Sequence, residues 1–539
     1  MIKTVMMIMK VSRYEIILPL VGKDGKEIED YRLMVNGLYG AYDIVAKEEC
    51  EKVLAGRFSE LPLALLEKLL LRGHLTRKNE SEELADMKLL SRMHKKVYGG
   101  YGIGLIILPT YDCNFRCPYC FEQHRLKRGQ DWLSQTMSDE IIDAIFAALK
   151  NYKDRGYDVD HCTFYGGEPL LAKNLPVVRK IAEHCRELDL KMSAITNGYD
   201  LEAYREFFEE FKFDMLQITV DGMGEVNDRR RVHKDGVGTY ERILANVELA
   251  LELGIRVSLR VNVGLKNIHG MKDLIEDLKA RGFIDKEKER AAEEKALRES
   301  DPKAKTKRGR FSYYFKAITN DFKHEKAILR EKDILDELIK IGFTTEEAFD
   351  RESQYSVARN LKALFQKKNF PSFAPTYCGA ERSMMVIDPF GKIFSCWDFV
   401  GKYDKAVGFT DVKTGRFLWN FDKAKWKTRT VDIMKKCRTC PYCFICRGGC
   451  ASRAEYNTGN CFREDCAESK EIFNLVASLL AGAHWQEHHE KELSLSLAGP
   501  LSRLTENERE IIMTTKSQKE LFELAKTTGL MPEKVQEYF

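Results

Sequence analysis

The stretch Ile103-Gly-Leu-Ile-Ile-Leu-Pro-Thr-Tyr-Asp-Cys113-Asn-Phe-Arg-Cys117-Pro-Tyr-Cys120 places three cysteines directly behind an apolar run. The run Ile103–Pro109 reads as a buried strand, and the C-x3-C-x2-C behind it as a loop that turns three thiolates to one side. Structural zinc sites and most iron–sulfur sites take four protein ligands. Three ligands leave one metal position open to a small molecule, so the spacing points to a reactive centre. A remote fourth residue would instead make the same loop a zinc clip.

Outward from that loop the chain alternates strand-like and helix-like patterns. Candidate strands are 103–109, 161–165, 191–195, 215–220, 255–263 and 311–318, and helices lie between them, one over 138–149 with Ser138 as N-cap. This rhythm predicts an α/β fold with a parallel sheet. Six units are too few for a closed eight-fold barrel, so the expectation is a partial, open (β/α)6 TIM-like barrel. Ligands gather at the C-terminal strand ends of such sheets. There lie the cysteine loop, Gly166-Gly-Glu-Pro169, Thr196-Asn-Gly198 and Asp221-Gly222.

The whole chain has 539 residues, enough for two to four domains. Its net charge of +4 is too small to point to nucleic acid as a partner. No apolar run approaches the roughly 18 residues of a membrane span. The short Met-rich start lacks a cleavage site, so a secretory signal is not expected and a cytoplasmic location is. Without that signal, fifteen cysteines argue against a disulfide scaffold. Three sit at 113–120 and nine between 378 and 466, whereas Cys50, Cys162 and Cys185 stand alone and read as buried core.

Four segments follow. Residues 1–100 read as a small α+β domain with a hairpin (Tyr14–Leu20, Tyr31–Val35), a third run at 41–45 and helices at 47–54, 60–72 and 80–96. Residues 101–345 are the barrel, 346–475 a cysteine-rich domain and 476–539 a helical tail with capping boxes at Thr505/Glu508 and Ser517/Glu520. The charged stretch 285–310 reads as a solvated helix or insertion. His484 and His488, spaced i, i+4 beside His489, read as a solvent-facing helix face rather than a metal site.

A C-x3-C-x2-C after the first strand and Gly-Gly-Glu-Pro after the second resemble the radical S-adenosylmethionine (SAM) enzymes over roughly 101–320. The resemblance implies that Cys113, Cys117 and Cys120 hold a [4Fe–4S] cluster whose open iron is chelated by SAM. Reductive cleavage of SAM then gives a 5′-deoxyadenosyl radical, and a flavodoxin or ferredoxin would supply the electron. It implies further that Tyr119 lies near the cluster and adenine, that Gly166 and Gly167 let the backbone approach the ligand, and that Glu168 accepts from the SAM ammonium. Asn197 and Thr219 match positions near the ribose and methionine portions. Arg231, in a stretch similar to the family's HD-x-x-R, matches a partner for the SAM carboxylate.

Downstream, Cys378-x12-Gly391-x4-Cys396 and Cys437-x2-Cys440-x5-Cys446-x3-Cys450 with Cys466 resemble the SPASM extension of peptide-modifying radical SAM enzymes. The resemblance implies two auxiliary [4Fe–4S] clusters, three in all. Cys378, Cys396 and Cys450 would hold the first; Cys437, Cys440, Cys446 and Cys466 the second. Cys443 and Cys461 are surplus, and either is a candidate fourth ligand of the first. In sulfatase-maturing relatives an aspartate directly after the Gly-x4-Cys cysteine is the proposed proton acceptor; here Trp397 intervenes before Asp398. Residues 1–100 resemble a winged-helix-type peptide-recognition domain, with a packing or dimerisation domain as the plainer reading. The expected activity is maturation of a ribosomal precursor peptide, with thioether crosslinking first and carbon–carbon crosslinking, epimerisation or formylglycine formation as alternatives. The contrasting class is an iron–sulfur or zinc scaffold without radical chemistry.

Overall fold

The run at 103–109 enters a sheet, with Ile103 and the consecutive Leu105, Ile106, Ile107 and Leu108 all buried. The computed structural model describes residues 9–98, 102–284, 310–318, 331–344, 374–466, 468–515 and 517–530, with Leu329, Ala348, Leu361 and Leu364. Six parallel strands follow the expected rhythm: β1 (Gly102–Ile107), β2 (Asp158–Phe164), β3 (Lys191–Thr196), β4 (Phe213–Thr219), β5 (Arg256–Val263) and β6 (Phe311–Ala317). They lie in spatial order 6-5-4-3-2-1, each paired in parallel with its sequence neighbour. This is the partial (β/α)6 barrel. Between β1 and β2 the helix Asp139–Asp154 buries Ile142, Ile145, Phe146 and Leu149 on one stripe, and the Ser138 hydroxyl accepts from Ile141 N as its cap.

Four short strands lengthen the sheet beyond β1. β7 (Met385–Ile387) adds in parallel, with Ile387 opposite Ile107, and β8 (Lys392–Phe394), β9 (Gly408–Asp411) and β10 (Arg416–Trp419) follow antiparallel. The β7–β8 hairpin turns on Asp388, whose Oδ1 accepts from Phe390 N (3.0 Å) and Lys392 N (2.8 Å). Part of the segment expected in the cysteine-rich domain thus continues the barrel sheet.

The chain divides into two compact units, and they cut across the expected segments. Tyr101–Gln354 and Ser383–Trp426 make one; Met1–Gly100, Tyr355–Arg382 and Lys427–Phe539 make the other. Within residues 1–100, Met9, Met34, Val45, Val53, Phe58, Leu66 and Leu69 form a core of their own. Tyr14, Leu38, Met87, Leu90 and Met93 pack in one cluster with Val431, Met434, Phe444, Leu501 and Ile512. The charged stretch at 285–310 lies, apart from Arg310, outside the described residues.

In this second unit Glu15–Val21, Glu27–Asn36 and Tyr42–Ala46 form an antiparallel meander, and helices Lys47–Leu54, Leu63–Leu71 and Glu80–Tyr98 follow. The outer edge of Tyr42–Ala46 is taken by the chain's own C-terminal part: Ile44 N donates to Lys491 O (2.7 Å) and Leu493 N to Tyr42 O (2.9 Å). The helix Ser469–His488 carries His484, which stacks on His488 and pairs with Glu490. Thr505 makes its capping box with Glu508. Ser517 caps Glu520 N, but the Glu520 carboxylate accepts from Thr515 instead.

The interior of this unit holds a charged relay. His74 is fully buried between Glu15 (Nδ1–Oε1 2.9 Å) and Asp43 (Nε2–Oδ2 2.8 Å), and Arg72 also pairs with Asp43. Burial alone would push the imidazole down, but the two carboxylates outweigh it and raise it to about 9. Its contribution is complete below the ordinary histidine value and is lost as pH rises through about 9. Its size is on the order of 3 kcal/mol. Thermal unfolding of the full chain is expected to shift to lower temperature between pH 7 and 10. A His74→Gln variant, already destabilised at pH 7, should lose that alkaline slope; an unchanged slope would contradict the assignment.

Candidate functional site

Strand β1 ends at Ile107, and the chain then rises into the loop that carries the three cysteines. The loop is fixed from two sides. Arg116 N donates to Val232 O (2.7 Å) and Lys234 N to Asn114 O (2.8 Å), so its outer limb pairs with the segment after β4. On its inner limb Glu168 N donates to Asp112 O (2.7 Å). Gly167 makes that approach feasible, because a Cβ there would stand 2.3 Å from the carbonyl oxygens of Tyr111 and Asp112. A Cβ on Gly166 would meet Thr110 O at 2.6 Å. The glycine pair expected to admit a ligand thus also serves, visibly, to seat the cysteine loop.

Glu168 is buried and joins three strand ends. Its Oε1 accepts from Thr196 Oγ1 (2.6 Å) and Leu170 N (2.9 Å), its Oε2 from Asn197 N (2.5 Å). Burial outweighs these donors and pushes the carboxyl up to about 7. A carboxylate offers about four acceptor positions, so three internal donors leave room for one more. Asn197 spans to the loop through Asn114 Oδ1 (2.7 Å). Thr219, buried at the end of β4, pairs in register with Arg260.

Tyr119 and Arg231 come together. The Tyr119 hydroxyl donates to Asp221 and accepts from Arg231 Nη1 (3.1 Å) and Asn262 Nδ2 (3.4 Å). Asp221 also accepts from Asn262 N (3.1 Å), which ties β4 to β5. Arg231 is buried over the Phe115 ring, and its Nε has no hydrogen-bond partner among the described residues. That orphaned donor is the kind of group a bound anion completes.

A cavity of about 60 Å³ is lined by Cys113, Cys117, Cys120, Gly167, Glu122 and Arg125, with Tyr111 and Phe115. Burial raises all three thiols; Glu168 adds to the rise at Cys113 and Glu122 at Cys120, which reaches about 12, while Arg231 opposes it at Cys117. Thiols so placed ionise when a cation compensates them. Among the described residues no three His, Cys, Asp or Glu side chains converge on a single metal ion. The thiols ring a cavity, a geometry suited to a multi-iron cluster bound at its corners. The donor set, the Gly167 cradle and the unpartnered Arg231 Nε fit a three-thiolate cluster with SAM on the open iron.

Sequence reasoning missed the polar wall beside Cys120. Arg125 is buried against Tyr111 (4.6 Å to the ring centre) with Nη2 2.9 Å from Glu122 Oε1. Tyr111 donates to Asp388 Oδ2 (2.7 Å). Asp398 acts electrostatically on both Glu122 and Tyr165. The Glu122/Arg125 pair at i, i+3 directly after the cysteines was the available signal.

The auxiliary cysteines fall in different surroundings. Cys437, Cys440, Cys446 and Cys466 line a cavity of about 270 Å³, and Cys443 lines it with them. Burial raises the Cys443 thiol, and Cys440, Cys446 and Cys437 raise it further. Cys378 and Cys450 sense each other's charge. Cys396 is buried before the short turn Trp397–Phe399 in the barrel unit.

Residues 107–278 match the model of the radical SAM superfamily. The barrel is a radical SAM domain. Over 399 residues, 70% of this chain and 96% of the relative, it is 22% identical to the cysteine-type anaerobic sulfatase-maturating enzyme of Clostridium novyi (strain NT). The GTP 3′,8-cyclase of Aliarcobacter butzleri (strain RM4018) is 27% identical over 179 residues, 32% of this chain and 51% of the cyclase. Native anSMEcpe with bound AdoMet and Cp18Cys peptide shares the fold at a TM-score of 0.50 and 18% identity, covering 69% of this chain and 96% of that one.

The radical SAM loop makes a sharp demand on one position. Gly167→Ala forces the 111–112 carbonyls away and should cost the barrel site most of its iron. Mössbauer spectra of anaerobically reconstituted protein check this, and a fully loaded barrel cluster in the variant would contradict it.

Proposed function

We propose that this protein is a radical SAM peptide maturase that modifies a ribosomally made precursor peptide, with thioether formation from cysteine sulfur to carbon as the reaction. The observation that carries the reading is the cavity lined by Cys113, Cys117, Cys120 and Gly167, with the neighbouring Glu168 carboxylate fixed by Asn197 N. Similarity over 96% of a sulfatase-maturating relative supports a peptide or protein substrate. When bound, cluster and SAM would supply a 5′-deoxyadenosyl radical able to take hydrogen from an unactivated carbon. The protein's part is to hold and orient: Glu168 has one acceptor position left for the SAM ammonium, Arg231 a free donor for its carboxylate, and Tyr119 is fixed by Asp221.

Three [4Fe–4S] clusters belong to this reading, two of them on the auxiliary cysteines, as does a low-potential donor such as flavodoxin or ferredoxin. A cytoplasmic setting suits oxygen-sensitive clusters. No helix among the described residues is long and apolar enough to cross a membrane. Leader recognition by residues 1–100 is also proposed, with a constraint. The outer edge of Tyr42–Ala46 already carries Lys491–Leu493, so strand addition there is closed, and the strand Glu15–Val21 includes Pro19, which lacks a donor.

A second reading, formylglycine formation, is favoured by Asp398. Its charge is felt by Glu122 and Tyr165, and a proton acceptor near them would serve that reaction. Mass analysis of a short cysteine-containing peptide encoded beside the gene and co-expressed anaerobically tests both. The thioether reading predicts loss of two hydrogens per crosslink and a cysteine that resists alkylation. A hydrazine-reactive carbonyl would select the second reading. An uncrosslinked peptide of unchanged mass and unchanged chirality would overturn peptide maturation on this substrate class.

A further inference from the structure

Arg429 stands in the cysteine-rich unit with a side chain wholly out of solvent. Its guanidinium carries five N–H donors in a fixed fork, and all five are used. Nε donates to Cys461 O (2.8 Å). One Nη1 donor goes to Gly449 O (2.9 Å) and the other to the Glu381 carboxylate. Nη2 donates to Gly448 O (3.1 Å) and Arg463 O (2.8 Å). Glu381 passes the connection on, since its Oε2 accepts from Tyr377 N (2.5 Å) and Cys378 N (3.4 Å).

These contacts fall on the auxiliary cysteines of both sets. Gly448 and Gly449 separate Cys446 from Cys450, Arg463 lies three residues before Cys466, and Glu381 three after Cys378. Neither short loops nor glycine pairs hold a backbone rigid without such ties. We propose that Arg429, paired with Glu381, is the positioning residue that sets the backbone of both auxiliary cysteine sets in register, so that the two sites form or fail together. This rests on the reading that those cysteines hold clusters.

The pair also explains its own chemistry. A planar five-donor fork can reach four carbonyls and a carboxylate at once; a lysine ammonium has three donors at a single point. Removing one partner alone would strand a buried charge, whereas removing both leaves none.

The test uses the full chain, reconstituted anaerobically, as wild type, Arg429→Lys and the double variant Arg429→Met/Glu381→Leu, with iron counts, Mössbauer spectra and EPR. Wild type should hold about twelve irons and the double variant about four. In the double variant the SAM-dependent change in the barrel cluster's EPR signal should persist and the auxiliary signals disappear. Arg429→Lys should likewise lose more than half of the auxiliary iron. Full auxiliary iron with unaltered spectra in the double variant would overturn the inference. So would loss of the barrel cluster along with the others, which would make the pair a general element of folding. About four irons in the wild type itself would overturn the auxiliary-cluster reading on which it rests, a result separable from the other two.

Discussion

A buried carboxylate at the strand ends is the constraint on which the barrel site depends. Glu168 draws Thr196, Asn197 and the backbone of Leu170 onto its two oxygens, while its own amide holds Asp112. One residue thereby fixes the ends of β1, β2 and β3 relative to one another. Leaving such a group unpaired in the interior is costly, so the three loops adopt the arrangement that satisfies it. The cysteine loop inherits its position from that arrangement.

The other unit solves a similar problem with cations. His74 sits between Glu15 and Asp43, and Arg429 gathers four carbonyls around Glu381. In each case a polar group placed in a dry interior forces distant segments to meet. Small sheets and short cysteine-bearing turns have little apolar surface of their own, and such hubs supply the specificity that packing alone does not.

The strand–helix rhythm was readable because short strands with regularly spaced buried residues, such as Val257, Leu259 and Val261, alternate with helical patterns. Cys113, Cys117 and Cys120 stand out as a group because their spacing is local, and all three line one cavity. What the residues could not show was long-range. The division into two units depends on Met87 and Leu90 packing with Val431 and Leu501, residues more than three hundred positions apart. Arg429 looked like any basic residue near Lys427, and its role appears only when Cys461, Gly448 and Glu381 are brought round it. The glycines of Gly-Gly-Glu-Pro were found for the right place and an incomplete reason, since the close neighbour on the page is the backbone of Tyr111 and Asp112. Cys443, expected as a candidate fourth ligand of the first set, lines the same cavity as Cys437, Cys440, Cys446 and Cys466.

The assignment of Cys113, Cys117 and Cys120 to a SAM-binding cluster is tested most directly by reducing the anaerobic full chain with dithionite in the presence of SAM. Formation of methionine and 5′-deoxyadenosine, abolished by Cys117→Ala, is the expected result. Tightly held zinc with no cleavage of SAM would contradict it.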